Sequence, residues 1–327
     1  MRVGVHVSPL ETRREVVLEL AVLADRLGYD AFCVGEAWGR DAFLSLAEVG
    51  ARTERLRLIP TIVSIWTRTP GTLAMSTATL QEQTGGRFVL GLGTSSRALA
   101  EGFHDVDFDR PLARLRRTVV QTRALLRGER IPLGREARAL RLGMPAAPDT
   151  PIYLATLGPA ALELTGELGD GWLPYLVPHA HLGGFVERIE RGRARRDDSL
   201  GERIAVAPSI PTLLSPDGDA SREWVARMLS FYVLAMGDFY ASFVAGLGFA
   251  DEIEAIRQAN AKPTDGIVPP AAERLLEGEA IWGDAAAGRE GLARWAAAGA
   301  DEPLVLLPPG APVELMRYTL EALAPGA

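Results

Sequence analysis

The chain has 327 residues, 47% hydrophobic and 24% charged, with a mean hydropathy of +0.07, which excludes a disordered regulator, a collagen-like rod and a disulfide-stapled mini-protein. Its 35 basic and 42 acidic residues leave a formal net charge of -7, a poor electrostatic match for nucleic acid or an anionic membrane, so a small-molecule partner is expected. Only one basic residue is a lysine, Lys262, which rules out a Schiff-base or phosphate-gripping lysine anywhere else.

Short β-branched runs alternate with longer helical patterns. Residues 2–7 read as a strand, and Thr12 with Glu15 forms the pattern of a capping box ahead of Val16, Leu20, Leu23, Ala24 and Leu27, a helix that Gly28 stops. A second strand at 31–35 holds the one cysteine, Cys33, as a small core residue with no internal disulfide partner. Asp41 then caps a helix carrying Leu44, Ala47 and Ala51. Residues 56–65 read as a continuous third strand, Thr69-Pro70 opens a helix to Gln83, and Gly85-Gly86 turns the chain into a fourth strand at 87–92. A helix at 111–126, a strand at 152–155, a helix at 159–168, strands at 172–176, about 204–213 and 304–307, and a last helix at 312–323 complete the pattern.

Eight strand-helix units predict an α/β fold of the (β/α)8 TIM barrel type, one domain over 1–327. Two insertions follow strands four and seven. The first, about 127–150, is rich in Gly, Pro and Arg with room for a short hairpin; the second, about 215–289, contains a helical stripe of Trp224, Met228, Phe231, Ala235, Phe239 and Phe243. The apolar run 231–250 includes Asp238, Ser242, Tyr232, Tyr240 and three glycines, a composition expected of a helix packed on protein rather than of a membrane span. With no signal-peptide pattern at the N-terminus, a cytoplasmic location is expected.

In such a barrel the reacting groups lie at the C-terminal strand ends, here His6, Glu36 to Trp38, Thr61 to Ser64, Gly93 to Ser96, Thr156 to Pro159, and Tyr175. They carry few charges. No HExxH and no acidic cluster with ligand spacing occurs, and the His179-Ala180-His181 pair reads as loop histidines, so no metal is expected. Two glycine-containing stretches after strands, 91–96 and 155–160, have the composition of phosphate cradles built from backbone N–H groups. Glu36 reads either as a desolvated acid or as an ion-pair partner of Arg40 or Arg68, and His6 either as a proton donor or as a core histidine.

The runs 36–42 (EAWGRDA), 61–70 (TIVSIWTRTP), 80–95 (LQEQTGGRFVLGLGTS), 101–104 (EGFH), 155–159 (ATLGP) and 169–172 (GDGW) resemble the bacterial luciferase-like superfamily, and within it the branch using the deazaflavin coenzyme F420. The resemblance spans essentially the whole chain. It implies a TIM barrel, usually dimeric, with a non-prolyl cis peptide at Thr61-Ile62 whose bulge, continuing into Val63, presses on one face of the deazaflavin. It also implies that Gly93, Thr94, Ser95, Ser96 and the loop Thr156, Leu157, Gly158, Pro159 meet the cofactor's phosphate side, that Glu36 lies at the ring's polar edge, and that Trp38 and Trp66, with Tyr175 at a strand end, line the substrate cavity.

Departures from the family pattern narrow the substrate. The sugar-phosphate dehydrogenases of this branch carry a catalytic histidine after the strand-two acid and glutamates at two further positions, which fall at Ala37, Leu10 and Ser96 here. The resemblance therefore implies an oxidoreductase passing hydride from reduced F420 to an activated C=C, C=N or C=O bond of an apolar organic substrate, with a proton from Glu36, His6 or water. Two alternatives are an FMN-dependent monooxygenase that consumes oxygen and a non-catalytic flavin- or deazaflavin-binding protein.

Overall fold

The computed structural model describes residues 1–326. Along the chain run β1 (Gly4–Val7), α1 (Arg14–Leu27), β2 (Ala31–Val34), α2 (Ala42–Gly50), β3 (Arg57–Pro60), β4 (Val63–Ser64), α3 (Pro70–Thr84), β5 (Leu90–Gly93), α4 (Arg97–Gly102), α5 (Pro111–Leu126), β6 (Ile152–Ala155), α6 (Pro159–Leu168), β7 (Gly171–Trp172), α7 (Leu182–Arg193), β8 (Ala205–Val206) and β9 (Ser209–Pro211). The helices α8 (Asp219–Ala235), α9 (Asp238–Val244), α10 (Ala250–Ala259), α11 (Glu273–Glu279) and α12 (Ala285–Ala297) follow, then β10 (Leu304–Leu307) and α13 (Val313–Ala322). The chain divides into two units, one of Met1–Tyr29, Pro174–Gly184 and Val206–Ala327, the other of Asp30–Leu173 and Phe185–Ala205.

In the first unit β10 pairs in parallel with β1 on one side and β9 on the other, in register Gly4↔Leu304 and Leu304↔Ser209. All four residues of β1 and of β10 are buried, the continuous apolar pattern of parallel strands covered on both faces. The capping box expected at Thr12 and Glu15 does not open α1. Arg13 is the N-cap, and the Glu11 carboxylate accepts its N–H at 2.9 Å while also being held by the remote Gly310 N–H, a partner that local spacing does not reveal. The strand expected over 204–213 is interrupted at Pro208, which has no N–H for a ladder, leaving β8 and β9. The apolar stripe expected on one helix is split between α8 and α9 at Gly237 (φ 79°), where the axis bends by 111°. No single helix among the described residues is long and apolar enough to cross a membrane.

In the second unit β2 pairs with β3, and β4, β5, β6 and β7 pair consecutively, all in parallel. Asp41 and Thr69 cap α2 and α3 as expected, accepting N–H bonds from Leu44 and Thr72 at 3.0 and 3.2 Å. The strand expected over 56–65 is instead two, β3 and β4, with a cis Thr61–Ile62 peptide between them. The strand expected over 172–176 is reduced to β7. Residues 127–150 contain no described strand; Ile131, Leu142, Met144 and Ala147 pack on Ala74, Ala78, Leu125 and Leu126, so an apolar pad over α3 and α5 replaces the hairpin. Cys33 is fully buried in β2.

One approach sets the strand ends of this unit. A Cβ on Gly91 would lie 1.9 Å from the Pro60 carbonyl oxygen, so β5 passes under the end of β3 only because residue 91 has no side chain. Substitution Gly91→Ala is expected to destabilise the protein by about 3 kcal/mol through overpacking, read as a lower urea midpoint at unchanged slope.

Candidate active site

The second unit brings most of the sequence-predicted cofactor residues to neighbouring strand ends. Thr61 donates its N–H to Val34 O at 2.9 Å, and Ile65 donates to Gly93 O at 3.1 Å, which anchors the loop around the cis bond on both sides. Ile62 is half-buried and packs over Gly93, where a Cβ would come within 2.9 Å of its Cγ1 and Cδ1. Val63 is fully buried in β4, beneath the bulge rather than on its surface. Ser95 adopts a left-handed φ of 53°, and Ser96 is the N-cap of α4, its hydroxyl accepting the Leu99 N–H at 3.3 Å.

The β6 loop differs in how its groups are used. The Thr156 hydroxyl meets Thr165 at 2.7 Å, and its carbonyl accepts the Trp172 indole N–H at 2.8 Å, so Thr156 fastens the loop internally. Leu157 is half-buried. Gly158 is exposed, has open space where a Cβ would stand, and caps the ten-residue helix α6 with no side-chain acceptor, while Pro159 occupies the first turn. Pro159 has no N–H and the Ala161 N–H is donated to Gly158 O at 3.0 Å, so that amino end presents the Ala160 N–H and the positive end of the helix dipole with no side-chain cap.

Glu36 is the ion-pair partner of Arg68. The guanidinium donates to its two oxygens at 2.6 and 2.9 Å, the Ala42 N–H adds a third bond at 3.0 Å, and Arg68 also reaches Asp41 at 2.5 Å. Burial works to lower the Arg68 pKa, but the two carboxylates more than offset it and raise it above its ordinary value. The fork ties β2, α2 and the loop before α3 together. Trp38 is exposed at 45% on the loop after β2, whereas Trp66 is 4% exposed, its ring covered by Arg114 at 4.5 Å and by Phe108 at 4.9 Å, and its indole N–H donates to Thr94 O at 2.7 Å.

His6 and Tyr175 belong to the first unit. His6 is 5% exposed, its Nδ1 lies 3.0 Å from the Ser209 hydroxyl, and burial pushes its pKa down to about 3, so the imidazole is neutral near pH 7. Tyr175 packs edge-on against Tyr232 and Tyr240. Sequence reasoning missed Glu11, whose carboxylate takes bonds from Arg13 and from Gly310 N–H at 3.0 Å and so joins the loops after β1 and β10; the polar residue just after Pro9 gave no sign of that remote partner. Among the described residues no group of His, Cys, Asp or Glu could hold a metal ion.

The parallel βα order and these strand-end groups define a luciferase-like TIM-barrel protein: the family described as luciferase-like monooxygenase matches residues 1–302, and the chain belongs to it. It is 30% identical over 305 residues, 86% of this chain and 87% of the other, to Rv3520c of Mycobacterium tuberculosis, provisionally named a coenzyme F420-dependent oxidoreductase. It is 29% identical to the F420-dependent glucose-6-phosphate dehydrogenase of Nakamurella multipartita, over 70% of this chain and 74% of that one. Among solved structures, the coenzyme F420-dependent tetrahydromethanopterin reductase of Methanopyrus kandleri superposes with a TM-score of 0.79 at 20% identity, covering 99% of this chain and 97% of that one.

Two outcomes test the geometry. Arg68→Met leaves the Glu36 carboxylate without its fork and is expected to cost about 2–3 kcal/mol in urea unfolding, with Arg68→Lys intermediate because an ammonium cannot bind both oxygens. His6 binds its proton less readily folded than unfolded, so its contribution is complete above its ordinary pKa of 6.5 and is lost at about 1.4 kcal/mol per pH unit as the pH falls towards 3. His6→Asn is expected to flatten the stability profile between pH 6.5 and 4.5, measured as the difference between wild-type and variant urea midpoints.

Proposed function

We propose that the protein is a coenzyme F420-dependent oxidoreductase that reduces an activated C=C, C=N or C=O bond of an apolar organic substrate. The carrying observation is the cradle of the second unit: a half-exposed Ile62 fixed over Gly93, beside the uncapped amino end of α6 at an open Gly158. A half-exposed apolar side chain packed over a bare glycine suits one face of a planar ring, and a helix amino end with space above its glycine suits a phosphate in a chain with a single lysine. When bound, reduced F420 supplies a hydride from C5 of its ring. The similarity to relatives named as F420-dependent enzymes supports the same cofactor.

The residues of the chain serve this reaction by holding and orienting. Arg68 fixes Glu36 at the end of β2, and Trp66 braces Thr94 and hence the turn into Ser95 and Ser96. Glu36 accepts N–H bonds on both oxygens and His6 is neutral, so each suits a hydrogen-bonding and positioning role better than proton donation. A sugar-phosphate substrate would need a second anion site besides the cofactor's, and Arg68 is already taken by Glu36 and Asp41. Lys262, the only lysine, lies in a turn after α10, where its backbone N–H is held by Asp265.

The family's description as luciferase-like monooxygenase favours one second reading, an FMN-dependent enzyme that consumes oxygen. Titration of the purified protein with F420 and with FMN, followed by fluorescence, separates the two. The expected result is micromolar binding of F420, with no oxygen uptake when reduced F420 is supplied. Tight FMN binding with oxygen uptake from reduced FMN would overturn the proposal.

A further inference from the structure

The run PLARLRR puts Arg114, Arg116 and Arg117 in the first two turns of α5, the end of a helix that ordinarily favours acids. No acidic residue lies in the first turn, and the N-cap Arg110 provides no side-chain acceptor. Two of the four arginines are already paired, Arg110 with Asp109 at 2.9 Å and Arg116 with Glu167 at 2.6 Å. Arg114 and Arg117 have no ion-pair partner among the described residues. Three positions apart, they share one face of the helix.

Each of these two guanidinium groups is held by a single nitrogen. Arg114 donates from Nε to Ile65 O at 3.2 Å, and its central carbon stands 4.5 Å from the centre of the Trp66 ring, which Phe108 supports from 4.9 Å. Arg117 donates from Nε to Gln121 Oε1 at 3.4 Å. The Nη groups of both have no hydrogen-bond partner among the described residues. Burial and then Arg117 lower the Arg114 pKa, and no carboxylate acts in the other direction. A guanidinium is a rigid planar fork that matches the oxygens of a phosphoryl or carboxylate group, and here two forks stand on one helix face with their repulsion unrelieved. A scaffold that fixes like charges together without a counter-ion is shaped to receive one.

We infer that Arg114 and Arg117 form a binding site for a doubly charged phosphoryl or carboxylate group, and that this group belongs to the cofactor. The second clause alone rests on the proposed function. Its support is the position of Trp66, which carries Arg114 on its ring and donates its indole N–H to Thr94 O at 2.7 Å, at the turn into Ser95 and Ser96. The arginine pair therefore stands one side chain away from the residues expected on the cofactor's phosphate side.

The first arm of the test uses the cofactor-free protein and inorganic phosphate, with potassium chloride at equal ionic strength as the control. The Trp66 indole N–H resonance, assigned by its loss in Trp66→Phe, is expected to move and saturate with phosphate and to stay in place with chloride. Arg117→Glu is expected to abolish the movement, because the new carboxylate pairs with Arg114 and leaves the Arg114 contacts to Ile65 and Trp66 intact. Phosphate should also raise the melting temperature of wild type more than that of Arg117→Glu. No movement in wild type, an equal response to chloride, or an undiminished response in Arg117→Glu would overturn the site. The second arm titrates F420. Arg117→Glu is expected to bind it about tenfold more weakly than wild type at low ionic strength, with Arg117→Gln between, and the difference should shrink at about 0.5 M salt. Equal F420 affinity in wild type and Arg117→Glu would overturn the assignment to the cofactor. Failure of wild type to bind F420 at all would overturn the proposed function and leave the phosphate result standing.

Discussion

Where the Pro60 carbonyl crosses the α-carbon of Gly91, the backbones come too close for any side chain, and the cradle of the second unit depends on that approach. It brings β5 under the end of β3, so that the chain turning through Thr61 and Ile62 has Gly93 directly in front of it. Gly93 in turn must be bare because Ile62 occupies the space its Cβ would need. Two glycines in one strand are usually a weakness, because they bring no side-chain packing and cost more backbone entropy on folding. Here they are the condition for holding Ile62, Thr94 and the Ser95 turn in one fixed arrangement.

Much of the surrounding apparatus consists of residues that organise backbone. Asp170 accepts the Ile152 N–H at 2.8 Å and pairs with Arg123 and Arg196 at 2.8 and 3.1 Å, so one carboxylate fixes the starts of two neighbouring strands. Gly171 lets the Tyr153 ring lie against its backbone, and Trp172 reaches over to the Thr156 carbonyl. The GDGW run therefore acts on the shape of the β6 loop from below. Arginine suits such posts better than lysine does, since its planar fork satisfies two acceptors at fixed angles, and this chain uses it almost to the exclusion of lysine.

Sequence reading recovered what is local. The caps at Asp41 and Thr69 are set within a few residues and lie where the pattern put them, and the buried runs of β1, β2, β6 and β10 follow from continuous apolar character. It failed where a remote partner decides. A run of β-branched residues over 56–65 gives no local cue to the interruption between β3 and β4; only the family resemblance pointed to the cis bond. Thr12 looked like a cap because nothing nearby shows that Glu11 is claimed by Gly310 and Arg13. Glu36 was open between two arginines, and the choice of Arg68 rests on the fold bringing residues 32 positions apart together. The burial of Glu279, the last residue of α11 and 1% exposed, has no local sign either, since an acid ending a helix normally faces water; the chain just beyond it joins the edge of β9 through Ile281.

The fully buried Cys33 has a practical consequence. With one thiol in the chain and that thiol enclosed in a strand, a thiol-modifying reagent can label the protein only while β2 is open. The native sequence thus contains its own probe of opening in the strand that leads to Glu36, and the rate of labelling measures how often that strand parts from its neighbours without a substitution having to be introduced.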